Sequence, residues 1–203
     1  MNNQVINAGN SNFRMEADTI SNNVISSKNQ MSRRNILRYF LVATIAVVAI
    51  LTSCNKDDDD DNYFMYDGKK YTLNKGYIGY YGATGGVYNF DIMLLSSGLQ
   101  VDVKEGKVTG KGHMMYFELW SSSSTGLDDG KFTFSILRGV NKFTEAFAAI
   151  NIDFATKEGD KLVEITGGNV DISTNDKITT LTFDLTAKDD KKVTGKFKGD
   201  LQK

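Results

Sequence analysis

Leu181-Thr182-Phe183-Asp184-Leu185-Thr186-Ala187 sets the reading of the whole domain. Leu181, Phe183, Leu185 and Ala187 fall on one side of an extended chain, and Thr182, Asp184 and Thr186 fall on the other. Asp189-Asp190-Lys191 then turns the chain. Val193, Gly195, Phe197, Gly199 and Leu201 return on one face against Thr194, Lys196, Lys198 and Asp200. A period of two with one polar face belongs to half-buried antiparallel strands, not to a parallel α/β core.

The same pattern recurs upstream at short spacing. Tyr63-Phe64-Met65-Tyr66 and Lys69-Lys70-Tyr71-Thr72-Leu73 flank Asp67-Gly68, the pair that two-residue hairpin turns favour. Tyr77 to Tyr81 follows Asn74-Lys75-Gly76. Gly85-Gly86 opens Val87 to Leu95, in which Tyr88, Phe90, Ile92 and Leu94 alternate with Asn89 and Asp91. Leu99 to Val103 reads as a further strand. Met115, Phe117 and Leu119 alternate with Tyr116, Glu118 and Trp120, and Phe132, Phe134 and Ile136 alternate with Lys131, Thr133 and Ser135. Ile150 to Phe154, Val163 with Ile165, and Val170 with Ile172 continue the series. Phe143, Phe147 and Ile150 have helical spacing, yet that stretch reads equally well as a strand. About ten short strands predict an all-β, single antiparallel domain. It is either a β-sandwich or a closed β-barrel, with a lipocalin-like barrel as the variant that encloses a ligand.

Composition fits that class. Average usage near 5% would give about ten prolines in a chain of this length, and there are none. Glycine turns the chain instead, and 18 of the 19 glycines lie between Asn62 and Lys203. That span carries 18 Lys and Arg against 18 Asp and Glu. A neutral domain with interspersed charge carries no electrostatic footprint for nucleic acid.

The region before Asn62 has a different logic. Arg33 and Arg34 precede an apolar run from Phe40 to Leu51, which ends in Leu51-Thr52-Ser53-Cys54. About a dozen apolar residues fall short of the roughly 20 that a membrane-spanning helix needs, but suit the core of a signal peptide. Cys54 is the sole cysteine, so no disulfide forms within the chain. Residues 1–30 are polar and Asn-rich. They are expected to be a mis-assigned or removed leader, with translation beginning at Met31 and residues 31–53 forming the signal. Residues 54–61 then form an acidic tether that like-charge repulsion keeps extended. No glycine or glutamate occupies the positions that would make this run a calcium loop.

Leu51-Thr52-Ser53-Cys54 resembles the lipobox of bacterial lipoproteins. That resemblance implies lipid attachment at Cys54 and removal of everything before it. Cys54-Asn55-Lys56-Asp57-Asp58-Asp59 resembles the surface-export signal of Bacteroidetes lipoproteins, and Val193 to Leu201 resembles the closing strand of small lipoproteins of that group. The resemblance implies a protein of the outer membrane, lipid-anchored through Cys54 and facing the extracellular side.

Catalysis has little to stand on, and no enzyme, metal or cofactor is expected. His113 is the only histidine, so a His-rich metal site is excluded. His113 with Met114 or Met115 reads more readily as the start of a strand than as a haem ligand pair. Gly106-Lys107-Val108-Thr109-Gly110-Lys111-Gly112 lacks the phosphate-loop spacing and reads as a turn. Asp128-Asp129 and Asp189-Asp190 sit where turns favour aspartate. Seven of nine tyrosines crowd between Tyr63 and Tyr88. They predict a solvent-facing aromatic strip in which Tyr66, Tyr80 and Tyr81, joined by Trp120, contact a glycan or an envelope protein. Gly76, Gly79 and Gly82 would let a ligand or another backbone come close. The alternatives are a structural part of an envelope or adhesin assembly, and a carrier of a small apolar ligand.

Overall fold

In the computed structural model, residues 62–102 and 107–203 are described. Cys54 and the export-like run Lys56, Asp57, Asp58 and Asp59 lie outside them. The described chain is all-β, with eleven strands joined in one sheet. They are β1 (Tyr63–Tyr66), β2 (Lys69–Thr72), β3 (Lys75–Thr84), β4 (Val87–Leu95), β5 (Leu99–Asp102) and β6 (Lys107–Ser121). After these come β7 (Gly130–Phe134), β8 (Lys142–Asp153), β9 (Lys161–Asn175), β10 (Ile178–Ala187) and β11 (Lys192–Gln202).

The turns follow their chemistry. Asp67 and Gly68 have φ of 52° and 74°, and Gly85 and Gly86 have 61° and 83°, the paired positive values that twist a two-residue loop to match its strands. β10 and β11 pair along their length, Leu181 opposite Phe197 and Leu185 opposite Val193.

The ladder path is ring-like. It runs β10-β9-β8-β6-β4-β3-β11 and back to β10, so neither of two separate sandwich sheets forms. Closure rests on a short parallel contact, Leu201 with Gly76 and Gln202 with Tyr77. A second parallel pair joins β7 to β8 through Thr133 with Lys142 and Phe134 with Phe143. The antiparallel expectation therefore holds for every pairing but these two.

Three long strands divide one edge between two partners. β9 gives residues 161–164 to β8 and 169–172 to β7. β6 gives residues 107–110 to β5 and then turns to β4. β11 gives residues 193–196 to β1 and its last two to β3. Glycine permits two of these changes of partner. Gly110 and Gly168 stand at φ of 95° and 109°, and a Cβ at either would overlap the carbonyl oxygen of Gly98 or Asp184. Gly106 to Gly112, read from the sequence as a turn, is from Lys107 onward the first part of β6. His113 lies within that strand instead of opening it.

Side chains fill the ring's interior. Phe64, Phe117, Phe132, Phe143, Phe183 and Phe197 meet Ile92, Leu94, Leu119, Leu181 and Leu185 in one buried cluster. A second cluster lies on the opposite side of β3, β4, β6 and β8, where β5 folds back over Leu95, Met114 and Ile152.

Candidate functional site

The outer side of β4, β6 and β8 carries the least ordinary chemistry. Asn89, Asp91 and Met93 alternate with Phe90, Ile92 and Leu94, and only the latter three face the interior. In β6, Tyr116, Glu118 and Trp120 occupy the same outer side. The sequence marked this as a polar face, which ordinarily means a wet one. Here it is dry: Asp91 and Glu118 are each only 4% exposed.

A buried carboxylate must find donors to offset its lost hydration. Tyr116 donates its hydroxyl to Asp91 Oδ2 at 2.6 Å. Asn89 donates Nδ2 to Glu118 Oε1 at 3.1 Å, and Thr144 donates its hydroxyl to Glu118 Oε2 at 2.8 Å. Thr144 in turn accepts the Trp120 indole N–H at 2.8 Å. Pairing between β6 and β8 steps from Glu118–Glu145 to Leu119–Phe143. Thr144 is the extra residue of that bulge, which aims its hydroxyl at Glu118. Burial first, then the Asp91 charge, holds the Tyr116 hydroxyl well above its usual range, so it stays a neutral donor.

The β7–β8 loop lies beside this network. Strand β7 ends at Phe134, so Ile136 does not continue its inner face as the alternation predicted. Ser135 N–H donates to Phe143 O at 3.0 Å, and Asn141 N–H donates to Trp120 O at 2.9 Å. Within the loop, Leu137 N–H donates to Ser135 Oγ at 3.0 Å. Ile136 and Leu137 are thereby turned outward, 88% and 73% exposed. The Arg138 guanidinium stacks over the Trp120 ring at 5.0 Å. Between loop and sheet is an open pocket of about 350 Å³, lined by Glu118, Thr144, Ile136, Leu137 and Arg138.

The expected aromatic strip does not form as a solvent-facing surface. Trp120 is buried beneath Arg138, with its indole N–H already used. Tyr66 is buried too, at the opposite end of the sequence's tyrosine cluster from Tyr88. Its hydroxyl donates to Asp189 Oδ2 at 2.5 Å and accepts from Lys161 Nζ. Lys161 also pairs with Asp189 at 3.0 Å, so β1, β9 and the β10–β11 turn are latched together. The Tyr66 bond first, then Lys161, holds the Asp189 carboxyl down to about 2. A smaller pocket of about 200 Å³ opens there. Its lysines are matched by carboxylates, Lys161 by Asp189 and Lys188 by Glu164 at 2.6 Å, and outside it Lys191 pairs with Asp67 at 2.7 Å. That balance suits a structural latch.

Tyr80 and Tyr81 are half-buried. The pairing of β3 with β4 jumps between Tyr80 and Gly82, which makes Tyr81 the bulged residue. Tyr80 leans on the inner Phe90 at 5.3 Å, and Tyr81 packs against the outer cluster. The two rings therefore point to opposite faces, as neighbours in a strand ordinarily do, and the bulge shifts the register only after Tyr81. Gly76 does admit a close neighbour, but it is the side chains of Leu201 and Phe197. His113 accepts the Asn151 N–H on Nδ1 at 3.1 Å, and burial holds its pKa below the usual imidazole value.

Glu118, Asn89, Thr144 and the Ile136–Arg138 tip escaped the sequence reading. One signal for them was present: three of the five residues in Ile136-Leu137-Arg138-Gly139-Val140 are aliphatic, which is unusual for a loop. Among the described residues, no group of three His, Cys, Asp or Glu side chains converges to hold a metal. Comparison of the chain with family models, with curated proteins and with solved structures gives no match.

Proposed function

We propose that this chain is an outer-membrane lipoprotein, anchored by acyl chains on Cys54 and displayed on the outside of the cell. Its non-catalytic β domain binds a glycan or a protein through the outer-face pocket beside the β7–β8 loop. The anchor rests on Leu51-Thr52-Ser53-Cys54 and the acidic run after it. More than one acyl chain is needed for stable attachment, because a single chain holds only marginally.

One observation carries the binding reading: an open pocket with a polar floor whose rim bears Ile136 and Leu137 almost fully in water. Exposed aliphatic side chains beside a concave polar surface mark contact sites more often than scattered surface leucines do. The packed interior of the ring weighs against a carrier of an enclosed apolar ligand. Assembly through strand addition is less favoured, because β2, which pairs only with β1 among the described strands, is four residues long and bears Lys69 and Lys70.

Replacing Cys54 with Ala and fractionating cells tests the anchor. The protein should leave the membrane fraction, and equal retention would refute lipidation. Replacing Ile136 and Leu137 with Ser tests the pocket. Folding should be unchanged while capture on glycan arrays or envelope-protein arrays is lost.

A further inference from the structure

One ladder donor in β8 is spent on a side chain that can change its charge. Pairing between β6 and β8 skips from Gly112–Ile152 to Met114–Ala149, which leaves His113 on one strand against Ile150 and Asn151 on the other. At such a bulge a backbone N–H loses its carbonyl partner in the ladder. The Asn151 N–H goes instead to His113 Nδ1 at 3.1 Å, which requires a neutral imidazole with its proton on Nε2. Among the described residues, six that are not glycine have positive φ, and Asn151, at 50°, is the one inside a strand. Asparagine tolerates that conformation better than most residues, but it still has to be held there. Two bonds hold it, the imidazole on its N–H and Asp160 Oδ2 on its Nδ2 at 2.5 Å.

His113 itself is fixed from the other side. Its N–H donates to Ser96 Oγ at 2.9 Å, and its carbonyl accepts the Ser96 N–H at 3.0 Å. The Tyr71 ring makes a T-shaped contact with the imidazole at 4.9 Å and stacks on Phe64. The elements around the histidine thus bring Tyr71 from β2, Ser96 beyond β4, Asn151 from β8 and Asp160 from the β8–β9 connection. Of these, Asp160 alone brings charge, and Lys161 beside it is turned to Asp189. Burial opposes a charge on the imidazole and Asp160 favours it. Burial wins, because the pKa lies below the usual 6.5.

We propose that His113 is an acid-operated switch on the end of the β8–β9 hairpin, from Asn151 to Asp160. When Nδ1 takes a proton it becomes a donor facing the Asn151 N–H. The bond is lost, and Asn151 is released from its left-handed conformation. The adjoining pairs Gly112–Ile152 and Lys111–Asp153 then loosen, while Ser96 keeps His113 in place and the rest of the ring stays closed. The sign follows from the lowered pKa. The opened form binds the proton more readily, so the hairpin end is fully held above about pH 6.5 and is released as pH falls below it.

His113 is the only histidine, so its ring resonances are unambiguous. In full-length protein in detergent, the imidazole and the Asn151 amide should titrate with one shared midpoint below pH 6.5. Hydrogen exchange, corrected for the intrinsic effect of pH, is compared at about pH 7.5 and about pH 5. Peptides from Ile150 to Lys161 should exchange about tenfold faster or more at the lower pH, with β10 and β11 unchanged. In His113→Gln, which keeps a polar side chain without a titrating group, that acceleration should vanish. Equal exchange of this segment at the two pH values overturns the proposal, as does the same acceleration in His113→Gln. Equal acceleration across β10 and β11 means general unfolding and overturns it too. Should His113→Gln fail to fold, the titration decides: an Asn151 amide that ignores the imidazole midpoint overturns the switch.

Discussion

The β10–β11 hairpin and the β4–β6–β8 face are built from the same alternation and end in different states. In β10, Leu181, Phe183, Leu185 and Ala187 are buried, while Thr182 and Asp184 are exposed. In β4, seven consecutive residues from Asn89 to Leu95 are buried, polar and apolar alike. Alternation tells which residues share a side, not whether water reaches that side. The hairpin is ordinary sheet surface over a core. The central face is a second, partly polar interior, and every buried polar group in it needs a named partner.

Interior packing should matter equally in both regions. Phe117, on the inner side of the central strands, and Phe183 of the hairpin touch, with ring centroids 5.5 Å apart. Replacing either by Ala should cost about 3–5 kcal/mol in urea unfolding, since each leaves a large cavity. A much smaller loss at Phe183 would mean that the hairpin is only loosely docked on the core.

The carboxylates separate the regions. Glu118→Ala strips Asn89 and Thr144 of their acceptor and should cost about 2–3 kcal/mol. Asp184→Asn loses only an exposed pair with Lys192, 2.7 Å long with both side chains about two-thirds exposed, and should change stability by less than about 1 kcal/mol. Similar costs for the two, measured by the same urea curves, would erase the distinction between a dry face and a wet one.

Acid offers the finest test. Asp189 ionises at about 2 in the folded protein against 3.8 ordinarily, so the unfolded chain binds its proton first as pH falls. Its stabilising contribution is complete above about pH 4 and fades between there and pH 2. Melting temperatures of Asp189→Asn and the parent protein should differ at pH 5 and converge near pH 2. The effect is modest because Asp189 is 41% exposed.

What the sequence disclosed follows the same division. Strand positions, the Asp67-Gly68 turn and the inward residues of β10 and β11 depend on local rules, so they were legible. Tyr66 and Trp120 were misjudged as exposed because their cover comes from far along the chain: Lys161 and Asp189 over one, Arg138 over the other. Thr144 reaches Glu118 only through a bulge in the β6–β8 register, which no periodicity announces. Ile136 continued the alternation of Phe132 and Phe134 on paper. The chain leaves β7 one residue too early for that alternation to place it inside.

The short closure between Leu201, Gln202 and β3 also fixes an order of events. β11 follows every other described strand along the chain, yet β1, β3 and β10 all pair with it. Until it arrives, β1 has only one of its two ladders, the one to β2. Joining ends so far apart in sequence is slow, because the loop-closure entropy is lost before the contacts repay it. A nascent chain is thus held open by its own connectivity, and the ring closes only once β11 is free to pair.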